Sequence, residues 1–205
     1  ATYKHVANTV NILKRLNLES KILYTELAAQ LDDVEIKSKG LIMYCKTQSA
    51  FDEEIALANR ALAIGLKAEV LDVKQLKKLD PTMSIDVEGG VYFPEDAFFS
   101  PSGFLEKLVM HLKDIGVRLI SNVQEAEFIV DKNLKQINSS KGLFSADQFV
   151  ICAGAWTREL THSLGLKISM QPGKGYSFTL ESPVEMPSIY SILTEAKVAV
   201  TPMPE

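Results

Sequence analysis

Apolar residues recur three and four apart at the start of the chain, with Val10, Leu13, Leu16 and Leu18 in one stripe and Leu23, Leu27 and Leu31 in a second. This spacing predicts two helical segments within residues 7–31. Residues 36–47 turn strand-like, with β-branched, aromatic and sulfur side chains after Gly40, and residues 49–64 return to helical spacing with Gly65 as the stop. A short strand is predicted over 69–72 and a short helix over 73–79, ended at Asp80-Pro81 because proline has no N–H to continue the ladder. Gly89-Gly90 predicts a turn into the strand Val91-Tyr92-Phe93. A helix follows, with Ser100 ahead of Pro101 as its first residue, Leu105, Leu108, Val109 and Leu112 as its buried face, and Gly116 as its stop.

Beyond residue 116 the period shortens. Residues 117–119, 126–130, 134–137, 143–144 and 149–151 read as strands of a meander, split by Asp131-Lys132-Asn133 and Asn138-Ser139-Ser140. Residues 156–164 predict a helix ended by Gly165, and 176–180 alternate as a strand. A last strand over 197–201 leads into Pro202-Met203-Pro204-Glu205 with no later segment to pair with it, so interrupted pairing is expected there. Together these elements predict an α+β fold: a mixed, mainly antiparallel sheet flanked by helices, with a meander attached.

Composition narrows the function classes. A chain of 205 residues, 46% of them hydrophobic, can bury the core of one domain or of one domain and part of another. A net charge of -4 leaves no basic footprint for nucleic acid. Apolar runs such as residues 149–156 fall well short of the roughly 20 residues that span a bilayer, and the opening Ala1-Thr2-Tyr3-Lys4-His5 lacks a signal-peptide pattern, so a cytoplasmic origin is expected. Cys45 and Cys152 sit in apolar stretches and read as buried thiols. His5, His111 and His162 fall on separate predicted helices without ligand spacing, so no metal site is expected. Asp52-Glu53-Glu54 reads as a solvated first helical turn.

Two stretches carry candidate chemistry. In residues 147–157 a buried strand delivers Ala153-Gly154-Ala155-Trp156, small residues that let backbone approach a ligand; a plain strand-to-helix turn needs the same residues. In residues 171–180, Gly173-Lys174-Gly175 precedes a strand, but the Walker spacing is absent and Lys174 alone reads as a solvated turn residue. Tyr44, Tyr176 and Tyr190 carry hydroxyls suited to a substrate carboxylate, although strand tyrosines also serve as half-buried packing; Tyr176 is the favoured one and Tyr44 the second.

Residues 89–96 (Gly-Gly-Val-Tyr-Phe-Pro-Glu-Asp), Ser100-Pro101-Ser102-Gly103-Phe104, the strand ending in Ala153-Gly154-Ala155-Trp156, and Pro172-Gly173-Lys174-Gly175-Tyr176 occur in that order. This succession resembles the D-amino acid oxidase superfamily, nearest to its D-amino acid dehydrogenase and glycine oxidase type, and residues 40–44 with the helix after Ser49 are similar to the substrate-domain opening of the D-amino acid dehydrogenases. The resemblance implies FAD as cofactor. It implies that Val123 contacts adenine through its backbone, that Ala153, Gly154 and Trp156 border the flavin, and that Gly175 and Tyr176 begin the strand reaching the ring and the amino acid substrate. Residues 1–119 would then be the first part of a substrate domain, 120–165 a partial FAD-binding domain, and 166–205 further substrate-domain strands.

The family's opening Gly-x-Gly-x-x-Gly turn and acidic ribose ligand do not occur in these residues, and its closing Gly-x-Arg segment and carboxylate-clamping arginine are expected beyond Glu205. The expectation is therefore an internal fragment, inactive alone and with low flavin affinity. Its parent would oxidise D-amino acids, or glycine- and sarcosine-like amines, to imines and then 2-oxo acids, passing electrons to oxygen or a quinone. The cofactor carries that chemistry, so no catalytic side chain is named. Peripheral membrane association of the parent is compatible with this reading. The alternative is a non-catalytic ligand-binding or subunit-interface module of the same fold, which should show closed sheet edges where the fragment should not.

Overall fold

The computed structural model describes residues 3–124, 127–131, 133–181 and 183–203. Ala126, expected to begin a strand, Lys132, expected in a turn, and the terminal Pro204-Glu205 lie outside the described residues. The chain forms two compact units: Ala1–Gly116 joined by Glu181–Glu205, and Val117–Leu180.

In the first unit, α1 (Tyr3–Ala28) is one continuous helix where two were expected. No glycine or proline interrupts those residues, and the point where the apolar stripe shifts is bridged by the Arg15–Glu19 ion pair at 3.3 Å and by Asn17 donating to the Leu13 carbonyl. Toward its C-terminus Tyr24 meets Phe99 and Phe104 at ring-centre distances of 5.3 and 5.4 Å, which seats α1 beside α4 (Pro101–Asp114). Phe104 is the buried residue of α4. Leu105 and Val109, expected on its inner face, are exposed, and Ser100 makes no side-chain cap.

The sheet of this unit contains β1 (Leu41–Cys45), β2 (Glu69–Leu71), β3 (Gly89–Phe93), β7 (Tyr190–Leu193) and β8 (Val198–Val200), in the order β2-β3-β1-β7-β8. The β1–β7 pair is parallel and the other three pairs are antiparallel, which makes the sheet mixed and mainly antiparallel as expected. Two helices lie between its first three strands in sequence. In α2 (Gln48–Ala63) Thr47 caps the N-terminus, and the chain leaves through Gly65 at φ +78°. α3 (Val73–Leu79) opens with a reciprocal Asp72–Gln75 capping box. The acidic run Asp52-Glu53-Glu54 falls in the second turn of α2 instead of the first, and burial raises the pKa of Glu54.

Gly89 and Gly90 lie within β3 and form no turn before it. An added Cβ on Gly89 would meet the Phe51 ring of α2 at 2.4 Å, and one on Gly90 would lie 2.6 Å from the Met43 carbonyl and 3.3 Å from Leu76 of α3. Successive strand residues face opposite sides, so α2 and α3 cover opposite faces. Ile42, Tyr44, Leu71, Leu76 and Ile189 form the buried core on the α3 side. β8 does have a partner: it pairs with the upstream strand β7, Ile192 facing Ala199, so the interrupted pairing expected at the end of the chain is corrected.

Two carboxylates fix the late strands to the early ones. Asp80, 1% exposed at the end of α3, accepts from the Ser188 and Ile189 amides at 2.9 and 3.3 Å and from Thr82 Oγ1 at 2.6 Å. Glu195, in the β7–β8 turn, accepts from the Lys46 and Thr47 amides at 2.9 and 2.8 Å and from the Thr47 and Thr194 hydroxyls.

The second unit holds an antiparallel meander of β4 (Glu127–Asp131), β5 (Asn133–Ser139) and β6 (Gly142–Ser145), then a 3₁₀ turn (Gly154–Trp156) running into α5 (Thr157–His162). The strands expected over 117–119, 149–151 and 176–180 do not form. An apolar alternation becomes a strand only beside a ladder partner, and no described strand runs next to these segments. Their apolar side chains accordingly face outward, with Val150 84%, Phe178 91% and Leu180 76% exposed. Cys45 is buried as expected; Cys152 is exposed, which corrects that expectation, and both thiols are free.

Gly90→Ala should destabilise the chain by about 1–3 kcal/mol, because a carbonyl across the ladder cannot turn aside as a side-chain tip can; urea unfolding of both proteins measures it. The Thr194 hydroxyl, followed by backbone amides, lowers the Glu195 pKa from 4.5 to about 2 in the fold. A depressed carboxylate stabilises fully above its unfolded pKa and loses that contribution as pH falls through its folded value. The urea midpoint should therefore drop between pH 4.5 and about 2, and drop less in Glu195→Gln.

Candidate functional site

The small-residue turn of the second unit is open. Gly154 has φ +52° and a Cβ added there would meet nothing within 4 Å, so the glycine answers a backbone requirement and leaves space above it. The Trp156 N–H donates to the Ala153 carbonyl at 3.1 Å, Ala153 is half-buried, and Trp156 is 70% exposed. Gly173 and Gly175 are likewise unobstructed. Tyr176 is 84% exposed, with Lys174 Nζ 5.5 Å from its ring centre, a cation–π contact that gives Lys174 a partner beyond solvent. Val123 is exposed in a segment tied to the β5–β6 loop, where the Gln124 amide donates to Ser140 Oγ at 2.9 Å.

Tyr44 lies elsewhere, in β1 of the first unit. It is 3% exposed, and burial, followed by the charge of Asp80, pushes its hydroxyl up to about 12. Its register partner on β3 is Gly90. Tyr190 begins β7 with its ring 6.3 Å from that of Phe98. Within the first unit a cavity of about 500 Å3 opens between α1 and the segment after β3, lined by Leu13, Leu18, Lys21, Phe93 and Phe99 among others. Lys21 donates to the Glu95 carbonyl there, and none of the candidate site residues Tyr44, Val123, Ala153, Gly154, Trp156, Gly175 and Tyr176 lines it.

The flavin implied by the resemblance needs backbone that can come close, apolar or aromatic faces for its ring, and donors for its pyrophosphate. Ala153-Gly154 provides the first, and the exposed rings of Trp156 and Tyr176 the second. Lys174 is a cation beside the Tyr176 ring, and no Gly-x-Gly-x-x-Gly occurs in the chain. These residues fit one border of the cofactor and leave its pyrophosphate unheld. Among the described residues no group of three or more His, Cys, Asp or Glu side chains is placed to bind a metal, and no helix is long and apolar enough to cross a membrane.

Asp80, Ser191 and Glu195 were not singled out by sequence reasoning. Asp80-Pro81 read only as a helix stop, although an acid beside a proline at a helix end is the signal available for a buried carboxylate that gathers amides. Glu195 gave no signal, because its partners lie 148 and 149 residues away.

Comparison with known proteins identifies the scaffold. A family profile described as FAD dependent oxidoreductase matches residues 3–205. The chain is 26% identical over 186 residues to D-amino acid dehydrogenase of Vibrio atlanticus, covering 86% of this chain and 43% of that protein. It is 25% identical over 185 residues to glycine oxidase of Geobacillus kaustophilus, covering 87% of this chain and 49% of that one. The chain thus spans less than half the length of these relatives. The crystal structure of the Geobacillus kaustophilus glycine oxidase shares the fold with a TM-score of 0.69 at 24% identity over 76% of this chain and 43% of that one. L-proline dehydrogenase from P. horikoshii does so at 0.60 and 19% over 77% and 41%. The extent of the family match, together with the mixed sheet, shows that this chain belongs to the DAO family of FAD-dependent oxidoreductases.

Proposed function

We propose that the chain forms part of an enzyme that oxidises D-amino acids, or glycine- and sarcosine-like amines, to imines that water then hydrolyses to 2-oxo acids and ammonia. The family match over residues 3–205, with relatives named D-amino acid dehydrogenase and glycine oxidase, carries this reading. Bound FAD would accept the substrate α-hydrogen as hydride. The chain's own part is to hold and shield. Val123, Ala153 and Gly154 would offer backbone to the cofactor, Trp156 would cover an apolar edge, and Gly175 would leave room for Tyr176 to face the substrate carboxylate. On this reading residues 1–119 and 166–205 belong to the substrate domain and 120–165 to the FAD-binding domain. The pyrophosphate and the substrate carboxylate would be held by other parts of a longer polypeptide, since the chain spans 43% of the Vibrio dehydrogenase.

The second reading, a non-catalytic ligand-binding or subunit-interface module, calls for closed sheet edges; among the described strands β8 pairs with β7 alone and forms an edge of its sheet.

Absorbance after incubation with FAD and desalting separates the two. The 205-residue chain should retain no flavin spectrum, whereas a full-length polypeptide carrying it should, and D-alanine should bleach that spectrum anaerobically. A full-length protein that holds no flavin would put the module reading first. In a flavin-holding protein, Gly154→Val should cut retained flavin roughly tenfold, because a β-branched residue at φ +52° is strained by about 1–3 kcal/mol.

A further inference from the structure

The core of the first unit holds a polar node outside the flavin chemistry. Tyr44 of β1 is 3% exposed and Ser191 of β7 is 0% exposed, and among the described residues neither hydroxyl has a hydrogen-bond partner. Ile42 and Ser191 are register partners on the parallel strands β1 and β7. Tyr44 stands two residues beyond Ile42, so its side chain and that of Ser191 leave the sheet on the same face. Ile189, two residues before Ser191, packs in the same cluster as Tyr44, and its amide donates to Asp80 Oδ2. The node thus combines two buried hydroxyls with a buried carboxylate.

The chemistry selects the guest. Tyr44 keeps its proton, with its pKa pushed up to about 12, and so has a hydrogen to donate and no acceptor among the described residues. Asp80 already receives Thr82 Oγ1 on Oδ1 and two amides on Oδ2, so neutral donors stabilise its charge in place of a cation. Oδ1 has one recorded donor and retains a lone pair. Ser191 can both give and take a hydrogen bond. A small neutral molecule with two donors and two acceptors meets all three demands, and buried polar groups that a chain does not pair are bridged in this way.

We propose that one ordered water occupies this node, accepting from Tyr44 Oη, sharing a hydrogen bond with Ser191 Oγ and donating to the Asp80 carboxylate. It ties β1, β7 and the end of α3 on the covered face of the sheet. The assignment is independent of the flavin reading.

Oxygen-17 water relaxation dispersion on the 205-residue chain tests it. The unmutated chain should show a long-lived internal water that is lost in the Tyr44→Phe/Ser191→Ala double variant; an unchanged dispersion amplitude overturns the proposal. Tyr44→Phe alone should raise the unfolding equilibrium constant about tenfold, because it strips the water of a partner. An unpaired hydroxyl predicts no change or a fall, and either result overturns the proposal. If the variants do not fold, a high-resolution crystal structure of the unmutated chain decides: density for a water within about 3.2 Å of Tyr44 Oη supports the node, and a metal ion, empty space or a direct Tyr44–Asp80 bond overturns it.

Discussion

The carboxylate of Asp80 holds the first unit together by gathering the amides of Ser188 and Ile189 from a stretch more than a hundred residues later. Parallel strands cannot be joined by a hairpin, so the strand that comes to lie along β1 must be caught by something other than a turn. Asp80 catches it at one end. Glu195 catches the hairpin at the other, where the Thr194 amide also donates to the Tyr44 carbonyl. Between these anchors β7 settles into register with β1, and β8 then pairs with β7. The core of Ile42, Tyr44, Leu71, Leu76 and Ile189 closes only because that register is held.

Local patterns were legible in the sequence where the chain makes its own partners. The boundaries of α3 coincide with the predicted 73–79, and β1, β2, α2 and the three middle strands of the meander lie close to expectation, since each depends on neighbours or on a nearby stop such as Gly65. What failed depended on distant partners. The segments around Val150 and Phe178 alternate like strands, yet no described strand lies beside them. Gly89-Gly90 looked like a turn because its sequence does not reveal the Phe51 ring and the Met43 carbonyl that exclude any larger residue. β8 looked unpaired because its partner, residues 190–193, lies upstream.

The candidate site was legible as composition and order more than as geometry. Ala153, Gly154 and Trp156 attracted notice because small residues ahead of a helix allow close approach, and the positive φ at Gly154 supplies the backbone reason. Tyr176 stands outward with Lys174 over its ring. Tyr44, chosen for the same hydroxyl, lies among aliphatic side chains and closes the core. Alternation marks both as strand tyrosines, but only Tyr44 lies in a described strand, where the residues packed on the sheet bury it.

The placement of β7 also bears on how such a chain is born. Tyr44 and Thr194 are bonded across 150 residues. At synthesis rates of about 5–20 residues per second, β1 waits roughly 8–30 seconds for the segment that covers its second edge. Once β3 has been made, β1, β2 and β3 can pair with one another, leaving one side of β1 with bare amides and carbonyls, the kind of edge that recruits strands from other molecules. The nascent chain therefore passes through a window of aggregation risk that is lengthened by the 64 residues of Val117–Leu180 threaded between the two halves of one sheet.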